Sequence, residues 1–157
     1  MKTSKILIAI VAFSLFACGE NKTNEEAEAQ PADYKGSVTV LMKSQESGTD
    51  QEQVIENVEV NFDPSEDGKT ASIIMYSISF APNMPPLDIT IPNLSLSHTK
   101  TGFKLSCDRV VPLALGGEFP MYTVTEFVGS VNEEELEFKL NFGQYPTSFS
   151  GQKNIAL

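Results

Sequence analysis

Apolar and polar residues alternate along most of the chain beyond Tyr34. The clearest stretch is 135–142, in which apolar side chains take every second position: Leu136, Phe138, Leu140 and Phe142. Successive side chains of a strand point to opposite faces, so this pattern predicts a strand with one apolar and one polar face. No stretch shows a sustained apolar stripe of helical period. The pattern therefore predicts an all-β domain.

Similar alternation predicts about eight strands, separated by turns rich in Asp, Asn, Gly and Pro. They fall at 37–42, 58–62, 74–80, 87–96, 103–107, 121–128, 136–142 and 147–150. In 74–80 the apolar face is expected to comprise Ile74, Tyr76, Ile78 and Phe80. Such strands can close as a barrel or stack as a sandwich. Because successive strands resemble simple hairpins, we favour an eight-stranded antiparallel up-and-down barrel.

Two places interrupt the alternation. The apolar positions switch parity between Ile91 and Leu94, and Pro92 lies at the switch. Proline lacks the N–H that a central ladder needs, so a bulge or bend is expected there. The stretch from Val110 to Pro120 has two prolines and two glycines. It predicts the longest irregular connection, which could form a flap over one end of the fold.

The chain begins with a short basic segment and an apolar run. Lys2 and Lys5 precede the mostly apolar residues 6–16, and Ala17 follows. This run is about half of the roughly 20 residues that a helix needs to span a bilayer. Small residues at its end are typical of a cleavage site. Residues 1–17 are therefore predicted to be a signal peptide.

The order Leu15, Phe16, Ala17, Cys18 resembles the lipobox of bacterial lipoproteins. The resemblance implies that Cys18 is acylated and becomes the new amino terminus; the alternative is an ordinary secretory signal with an incidental cysteine. Gly19 stands where many lipoproteins retained at the inner membrane have Asp, which favours the outer membrane. Acidic residues close behind Cys18 loosely resemble surface-export signals: Glu20, Glu25, Glu26 and Glu28. The periplasmic or extracellular face is left open.

Residues 19–33 contain no Val, Ile, Leu, Phe or Tyr. A segment with so little to bury is predicted to be a flexible tether. About 15 residues of this kind span roughly 20 Å on average, enough to lift a domain clear of the lipid headgroups. The chain is thus divided into a lipoprotein signal peptide at 1–17, a lipidated tether at 18–33 and a barrel domain at 34–157.

The net charge limits which partners are expected, and the cysteine content limits which disulfides are possible. The 157 residues carry 21 acidic and 11 basic side chains, a net charge of -10, which argues against nucleic acid as a partner. Loss of residues 1–17 removes two lysines and no acidic residues, so the mature chain has a net charge of -12. Membrane contact is then expected through acyl chains and not through a basic patch. With Cys18 acylated, only Cys107 remains, so no intramolecular disulfide is expected.

Four segments carry a resemblance to a known family. They are 33–40 (DYKGSVTV), 66–69 (EDGK), 86–91 (PLDITI) and 128–131 (VGSV), the last leading into Leu136-Glu137-Phe138. In these segments the chain resembles the calycin-like β-barrel lipoproteins of Bacteroidetes over about residues 33 to 152. The resemblance implies an eight-stranded barrel similar in shape to lipocalins. It implies little about chemistry, because fold alone does not determine function.

Candidate chemistry is sparse. His98 is the only histidine and lies in a Ser-His-Thr-Lys turn, which gives poor support to a zinc or haem site. The chain has no Gly-x-Ser-x-Gly element. Cys107 shares parity with Phe103 and Leu105, so it is expected to be a small buried hydrophobe. We expect no enzymatic activity, no metal and no cofactor.

An eight-stranded barrel is just wide enough to be filled by side chains or to hold one small ligand. The residues predicted to line such a pocket are Tyr76, Phe80, Phe103, Tyr122, Glu126 and Phe138. The inward face of 121–128 is left open, since Glu126 shares parity with Tyr122 whereas Phe127 takes the other parity. An inward carboxylate would need a partner, water or a polar ligand head.

The leading interpretation is a membrane-anchored cell-envelope lipoprotein whose barrel binds a small apolar or amphipathic ligand. The alternative is a non-catalytic protein-interaction module of the envelope with a solid barrel core. The two interpretations differ in whether the interior is hollow. The ligand, any protein partner and the oligomeric state do not follow from the sequence.

Replacement of the lipobox cysteine tests the anchor. The variant Cys18→Ser should be released as soluble protein, because an acidic body without acyl chains has no attraction to lipid headgroups. Membrane fractionation and the mass of the mature amino terminus measure the change. Unchanged fractionation together with an unmodified amino-terminal mass in the wild type would refute the lipid anchor.

Overall fold

The computed structural model describes residues 27–43, 49–81 and 83–155. The predicted signal peptide, Cys18 and most of the predicted tether lie outside these residues. In the part of the chain that is described, there is no helix of the length and apolar character needed to cross a bilayer.

Ten strands and one short 3-10 turn make up the described chain. The 3-10 turn is Pro120–Tyr122. The strands, in chain order, are β1 Ala32–Lys43, β2 Asp50–Pro64, β3 Thr70–Ile78, β4 Leu87–His98, β5 Phe103–Val110, β6 Leu113–Ala114, β7 Gly117–Glu118, β8 Val124–Val131, β9 Glu135–Phe142 and β10 Tyr145–Lys153.

Eight of these strands close into a barrel. Each of β1 to β4 pairs antiparallel with the next strand in the chain, β5 pairs with β8, and β8, β9 and β10 continue the meander. The pairing of β10 with β1 closes the sheet, and Val38 lies opposite Phe149 in that ladder. The prediction of an all-β, eight-stranded antiparallel up-and-down barrel is confirmed.

The remaining two strands form a small hairpin inside the predicted irregular connection. Strand β6 adds to β4, with Ala114 opposite Ile89, and β7 pairs back onto β6. The base of the hairpin is closed by the Phe119 N–H, which donates to the Pro112 carbonyl at 2.8 Å. The stretch 110–120 thus contains a two-stranded hairpin attached to the wall.

Some predicted boundaries are wrong. Strand β2 begins at Asp50, eight residues before the predicted start, because its polar first half pairs fully with the end of β1. Met121 lies in the 3-10 turn, and β8 starts only at Val124. There the Thr123 hydroxyl donates to the Pro120 carbonyl at 2.7 Å, which holds the turn against extension into a strand.

Four β-bulges interrupt the ladders, in β2, β3, β4 and β8. Each bulged strand has one extra residue relative to its partner, and each bulge holds a non-glycine residue with positive φ. These residues are Asn57 (59°), Ser77 (51°), Asn93 (57°) and Glu126 (54°). A bulge shifts the parity of everything after it, since side chains alternate with period two. The bulge at Asn93 confirms the predicted interruption between Ile91 and Leu94.

The bulge in β3 corrects the predicted inner face of that strand. Ile73 and Met75 are buried, whereas Ile74 and Tyr76 point outward. After Ser77 the parity changes, and Ile78 is buried again. The Ser77 N–H donates to Asp88 Oδ1 at 2.9 Å, which supports the left-handed conformation of this residue. The predicted face is therefore wrong before the bulge and right after it.

The barrel has two different ends. We call the end at which β1 begins the tether end; it also holds the turns 65–69, 99–102 and 132–134. The opposite end is the flap end, which holds the connection 79–86, the flap at 111–123 and the turn 143–144. The described chain enters the barrel at the tether end, and the flap end lies opposite that point.

The tether end is closed by a buried tyrosine. The Tyr34 side chain is 2 % exposed, and its hydroxyl donates to the Asn132 carbonyl at 2.8 Å. Asn132 Oδ1 in turn accepts the N–H groups of Glu134 and Glu135, both at 2.8 Å. Burial raises the pKa of Tyr34, because the phenolate would lose its hydration.

Removal of this hydroxyl tests the closure. The variant Tyr34→Phe should lose about 0.5 to 1.5 kcal/mol, because the Asn132 carbonyl loses its donor. Since the folded pKa is raised, the contribution of the hydroxyl is present below about pH 10 and is lost as the pH rises through the folded pKa. Urea unfolding at pH 8 and at pH 11 should show the difference from wild type shrinking at the higher pH.

The matched control is Tyr76→Phe, because Tyr76 is 38 % exposed on the outer wall. That change should leave the unfolding free energy unaltered at both pH values. A Tyr34→Phe difference that stays constant with pH would contradict the proposed role of the buried hydroxyl.

Candidate functional site

Three stacked phenylalanine rings lie on the inner face of the barrel. Phe127, Phe138 and Phe149 come from the neighbouring strands β8, β9 and β10, and all three are buried. The Phe127 and Phe138 ring centroids lie 5.2 Å apart, and those of Phe138 and Phe149 lie 5.1 Å apart. Aromatic pairs at such separations contribute about 0.5 to 1.5 kcal/mol beyond the area they bury.

Two strand glycines make room for this ring stack. A Cβ atom on Gly129 would lie 2.8 Å from Phe138 Cβ, and one on Gly151 would lie 2.4 Å from Phe149 Cζ. Both distances are shorter than van der Waals contact. The rings therefore occupy the space that the two glycines leave on the inner face of β8, β9 and β10.

A second aromatic group closes the flap end. We call it the aromatic cap; it comprises Phe80, Phe119, Tyr122, Phe142 and Tyr145. The Phe80 ring stacks on Phe142 with a centroid distance of 4.2 Å and meets Tyr122 edge to face at 4.8 Å. Phe80 and Phe142 are fully buried, while the other three rings are half-buried.

The loop after β3 positions Phe80. Strand β3 ends at Ile78, and the Ser79 hydroxyl donates to the Met84 carbonyl at 2.6 Å, which folds the loop across the barrel. Phe80 thus enters the mouth from a loop and not from a strand. The flap supplies Phe119 and Tyr122, whose rings lie 4.9 Å apart.

The six residues predicted to line a pocket do not meet at one place. Phe80 and Tyr122 contact each other in the aromatic cap, and Phe138 lies in the ring stack. Phe103 lies near the tether end, where its ring centroid is 4.7 Å from that of His98. Tyr76 and Glu126 are on the outer wall.

Glu126 faces outward because of the bulge in β8. The register shifts between Thr125 and Val128, and within this bulge Glu126 is exposed while Phe127 is buried, as is Val124 before it. Asn141 Nδ2 on β9 donates to Glu126 Oε2 at 2.7 Å. The sequence alone left open which face of 121–128 points inward. In the structure even-numbered Val124 points inward before Glu126, and odd-numbered Phe127 points inward after it.

Other chemically interesting side chains are dispersed. Leu105 is buried, but Phe103 and Cys107 are only half-buried. Burial raises the pKa of the Cys107 thiol, although a backbone hydrogen bond from Arg109 opposes this. Reactive cysteines have lowered pKa values, so this environment does not activate the thiol. Among residues 27–43, 49–81 and 83–155, no group of three or more His, Cys, Asp or Glu side chains could hold a metal.

The outer wall carries a cleft of about 330 Å³ near the flap end. It crosses five adjacent strands, β8, β9, β10, β1 and β2. We call it the wall cleft; its principal side chains are Leu41, Glu52, Glu126, Lys139, Asn141 and Pro146. A second, polar cleft of about 260 Å³ lies where Gly36 is opposite Gly151.

Sequence reasoning did not find the wall cleft. Its residues lie on the polar faces of their strands, which alternation marks only as solvent-facing. Their proximity depends on the strand register and on the bulge at Glu126, and neither is encoded in the period of the pattern. Only Glu126 was singled out, as a carboxylate among apolar neighbours.

Comparison of the chain with protein-family models, with curated proteins and with solved structures finds no match. The resemblance to calycin-like lipoproteins therefore stays a prediction. The assignment of function depends on the geometry described above.

Alanine substitutions test whether the interior is packed. Phe80→Ala and Phe138→Ala should each cost about 3 to 5 kcal/mol, because each removes a buried ring from an aromatic group. The half-buried Tyr122 should cost less, under about 2 kcal/mol, because fewer contacts are lost. Urea unfolding gives these values, with binding of a fluorescent fatty acid measured in parallel.

A hollow barrel would give a different result. In that case the wild type would bind the fatty acid. Phe80→Ala or Phe138→Ala would then cost under about 2 kcal/mol of stability and bind the fatty acid more weakly than the wild type, because the ring borders a ligand-filled space. The conservative variant Phe138→Leu provides a control for volume, since it keeps most of the buried apolar contact.

Proposed function

We propose that this protein is a non-catalytic interaction module of the cell envelope, held at the membrane by acyl chains on Cys18. The observation that carries the proposal is the ring stack of Phe127, Phe138 and Phe149, which occupies the barrel interior. With the interior filled, the outer wall and the flap end are the surfaces left for binding.

The position of the tether supports a particular orientation. The chain joins the barrel at Ala32, at the tether end, so the flap end points away from the lipid surface. The flap presents two strongly exposed apolar side chains, Leu115 at 83 % and Met121 at 77 %. Exposed apolar side chains on a projecting loop are typical of protein-contact surfaces.

The lipobox and Gly19 support an outer-membrane address, and the calycin-like resemblance supports an envelope role. A non-catalytic role is supported by the surroundings of His98. In the described chain its ring contacts Phe103, at the tether end, remote from the wall cleft and from the aromatic cap.

A small amphipathic ligand bound at the flap end is a second candidate function. It is favoured by the half-buried state of Phe119, Tyr122 and Tyr145. Gln144 Nε2 donates to the Tyr145 hydroxyl at 3.2 Å, so this part of the cap offers polar groups beside apolar rings. Such a ligand would lie on the cap and not deep within the barrel.

Site-specific photo-crosslinking in intact cells tests the proposal. A photoreactive residue in place of Leu115 or Met121 should give one discrete crosslinked protein product, because these side chains project from the distal end. The same group in place of Lys100, an exposed residue of the tether end, should not give that product. Purified wild-type protein should show no stoichiometric binding of a fluorescent fatty acid.

The two candidate functions give opposite results. Absence of a crosslink at the flap end, together with one-to-one binding of the fatty acid that Tyr122→Ala weakens, would replace the interaction module by the ligand-binding function.

A further inference from the structure

We propose that the first half of β2 binds an extended, basic segment of a protein partner as an additional strand. This inference rests on the proposed function as an interaction module and identifies the kind of segment that one surface binds. The surface is the edge of β2 that faces away from β1 over residues 50–58, which we call the open edge. Three features support the proposal: unpaired backbone groups, the lack of any covering segment, and a row of acidic side chains.

The open edge exists because β2 pairs with β1 over a longer stretch than with β3. The ladder with β1 extends over 50–62, whereas only Val60–Pro64 pair with β3. In the described chain, no backbone hydrogen bond joins 50–58 to the end of β3 or to the loop 79–86. In an antiparallel pair, every second residue directs its N–H and C=O groups away from its partner. The open edge therefore presents donors and acceptors to which another strand can add.

The open edge lacks most of the features that usually prevent strand addition. Strand edges are commonly blocked by proline, lysine, a bulge or a covering segment. Residues 50–58 contain no proline, glycine or lysine, and the residues 50–54 are exposed on both faces. The bulge at Asn57 lies at one end of the edge, so 50–55 keep a regular register with β1. An added strand would therefore find a regular stretch that no other described residue covers.

The outer face of the open edge is acidic. Glu52, Val54 and Glu56 alternate there, and Val54 is 52 % exposed. Glu52 is opposite Leu41 on β1, and neither glutamate makes an ion pair within the described residues. Opposite charges and β-branched side chains that face each other on neighbouring strands stabilise the pair. The partner segment should therefore have Lys or Arg beside both glutamates and a residue such as Val between them, at alternate positions.

The same charges disfavour a second copy of this chain as the added strand. Antiparallel pairing of two open edges about Val54 would place Glu52 opposite Glu56. Pairing about Gln53 would place Asp50 opposite Glu56. Like charges directly opposite each other destabilise a strand pair, and two chains of net charge -10 repel at longer range. The open edge thus selects a partner segment of opposite charge.

Hydrogen exchange of the isotope-labelled full chain, followed by NMR, measures strand addition directly. The probe is the capped heptapeptide Thr-Lys-Thr-Val-Thr-Lys-Thr, and its acidic counterpart has glutamate in place of both lysines. At millimolar concentration the basic peptide should slow the exchange of alternate amides within 50–55, because those N–H groups become donors to the added strand. The acidic peptide should leave them unchanged. Unchanged exchange with the basic peptide would overturn the inference.

A methylated peptide separates strand pairing from charge attraction. The basic peptide with N-methyl groups on its central three residues keeps both lysines but loses N–H donors on both of its edges. It should therefore bind much more weakly and give no protection of 50–55. Equal binding of the methylated and unmethylated peptides would show attraction without strand addition and would overturn the inference.

Charge reversal in the protein gives the complementary test. The double variant Glu52→Lys/Glu56→Lys should raise the Kd of the basic peptide about tenfold or more and should bind the acidic peptide instead. The matched control is Glu66→Lys/Glu133→Lys, which makes the same change of net charge in exposed turns of the tether end. It should change the Kd by less than about twofold, because distant surface charges are screened. Equal effects of the two double variants would overturn the inference.

Single variants and self-association complete the test. If the double variant does not fold, Glu52→Gln should still raise the Kd of the basic peptide about threefold. Protection of 50–55 that grows with protein concentration in the absence of peptide would identify a second copy as the added strand and overturn the inference. A discrete crosslink from Leu115 or Met121 without any effect of the basic peptide would overturn this inference and leave the proposed function intact.

Discussion

The contact between three stacked rings and two strand glycines is the constraint on which the rest of the barrel depends. Gly129 and Gly151 lack the Cβ atoms that would clash with Phe138 and Phe149, so the rings can lie across three neighbouring strands. Close packing of this kind leaves little space that is not occupied by protein atoms. The rings cover the inner face of β8, β9 and β10, and under the proposed function binding therefore takes place at the outer surface.

The bulges determine which side chains that surface carries. Each adds one residue to a strand and so exchanges the inner and outer faces beyond it. At Glu126 this exchange keeps Val124 and Phe127 buried while it directs a carboxylate outward to Asn141. The same local irregularity therefore completes the core and builds one side of the wall cleft.

Much of the fold could be predicted from the sequence because apolar and polar residues alternate along a strand that has one buried and one exposed face. The stretch 135–142 gives its inner residues correctly, and the parity switch at Pro92 correctly predicts a bulge. The prediction failed at Tyr76, since no glycine or proline marks the bulge beside it. The pattern places Phe80 in a strand, whereas the structure has it in the loop after β3. The wall cleft is lined by residues of five strands, and its shape depends on how these strands are aligned with one another. Alternation within one strand does not reveal that alignment.

The flap also affects how these molecules behave when they are crowded. Open strand edges can add to the edges of neighbouring molecules and form aggregates. In the described sheet, β7 is the terminal strand, and its edge consists only of Gly117 and Glu118. The charge of Glu118 and the proline at position 120 oppose extension of that edge. The edge at β7 is therefore a poor template for strand addition between crowded molecules.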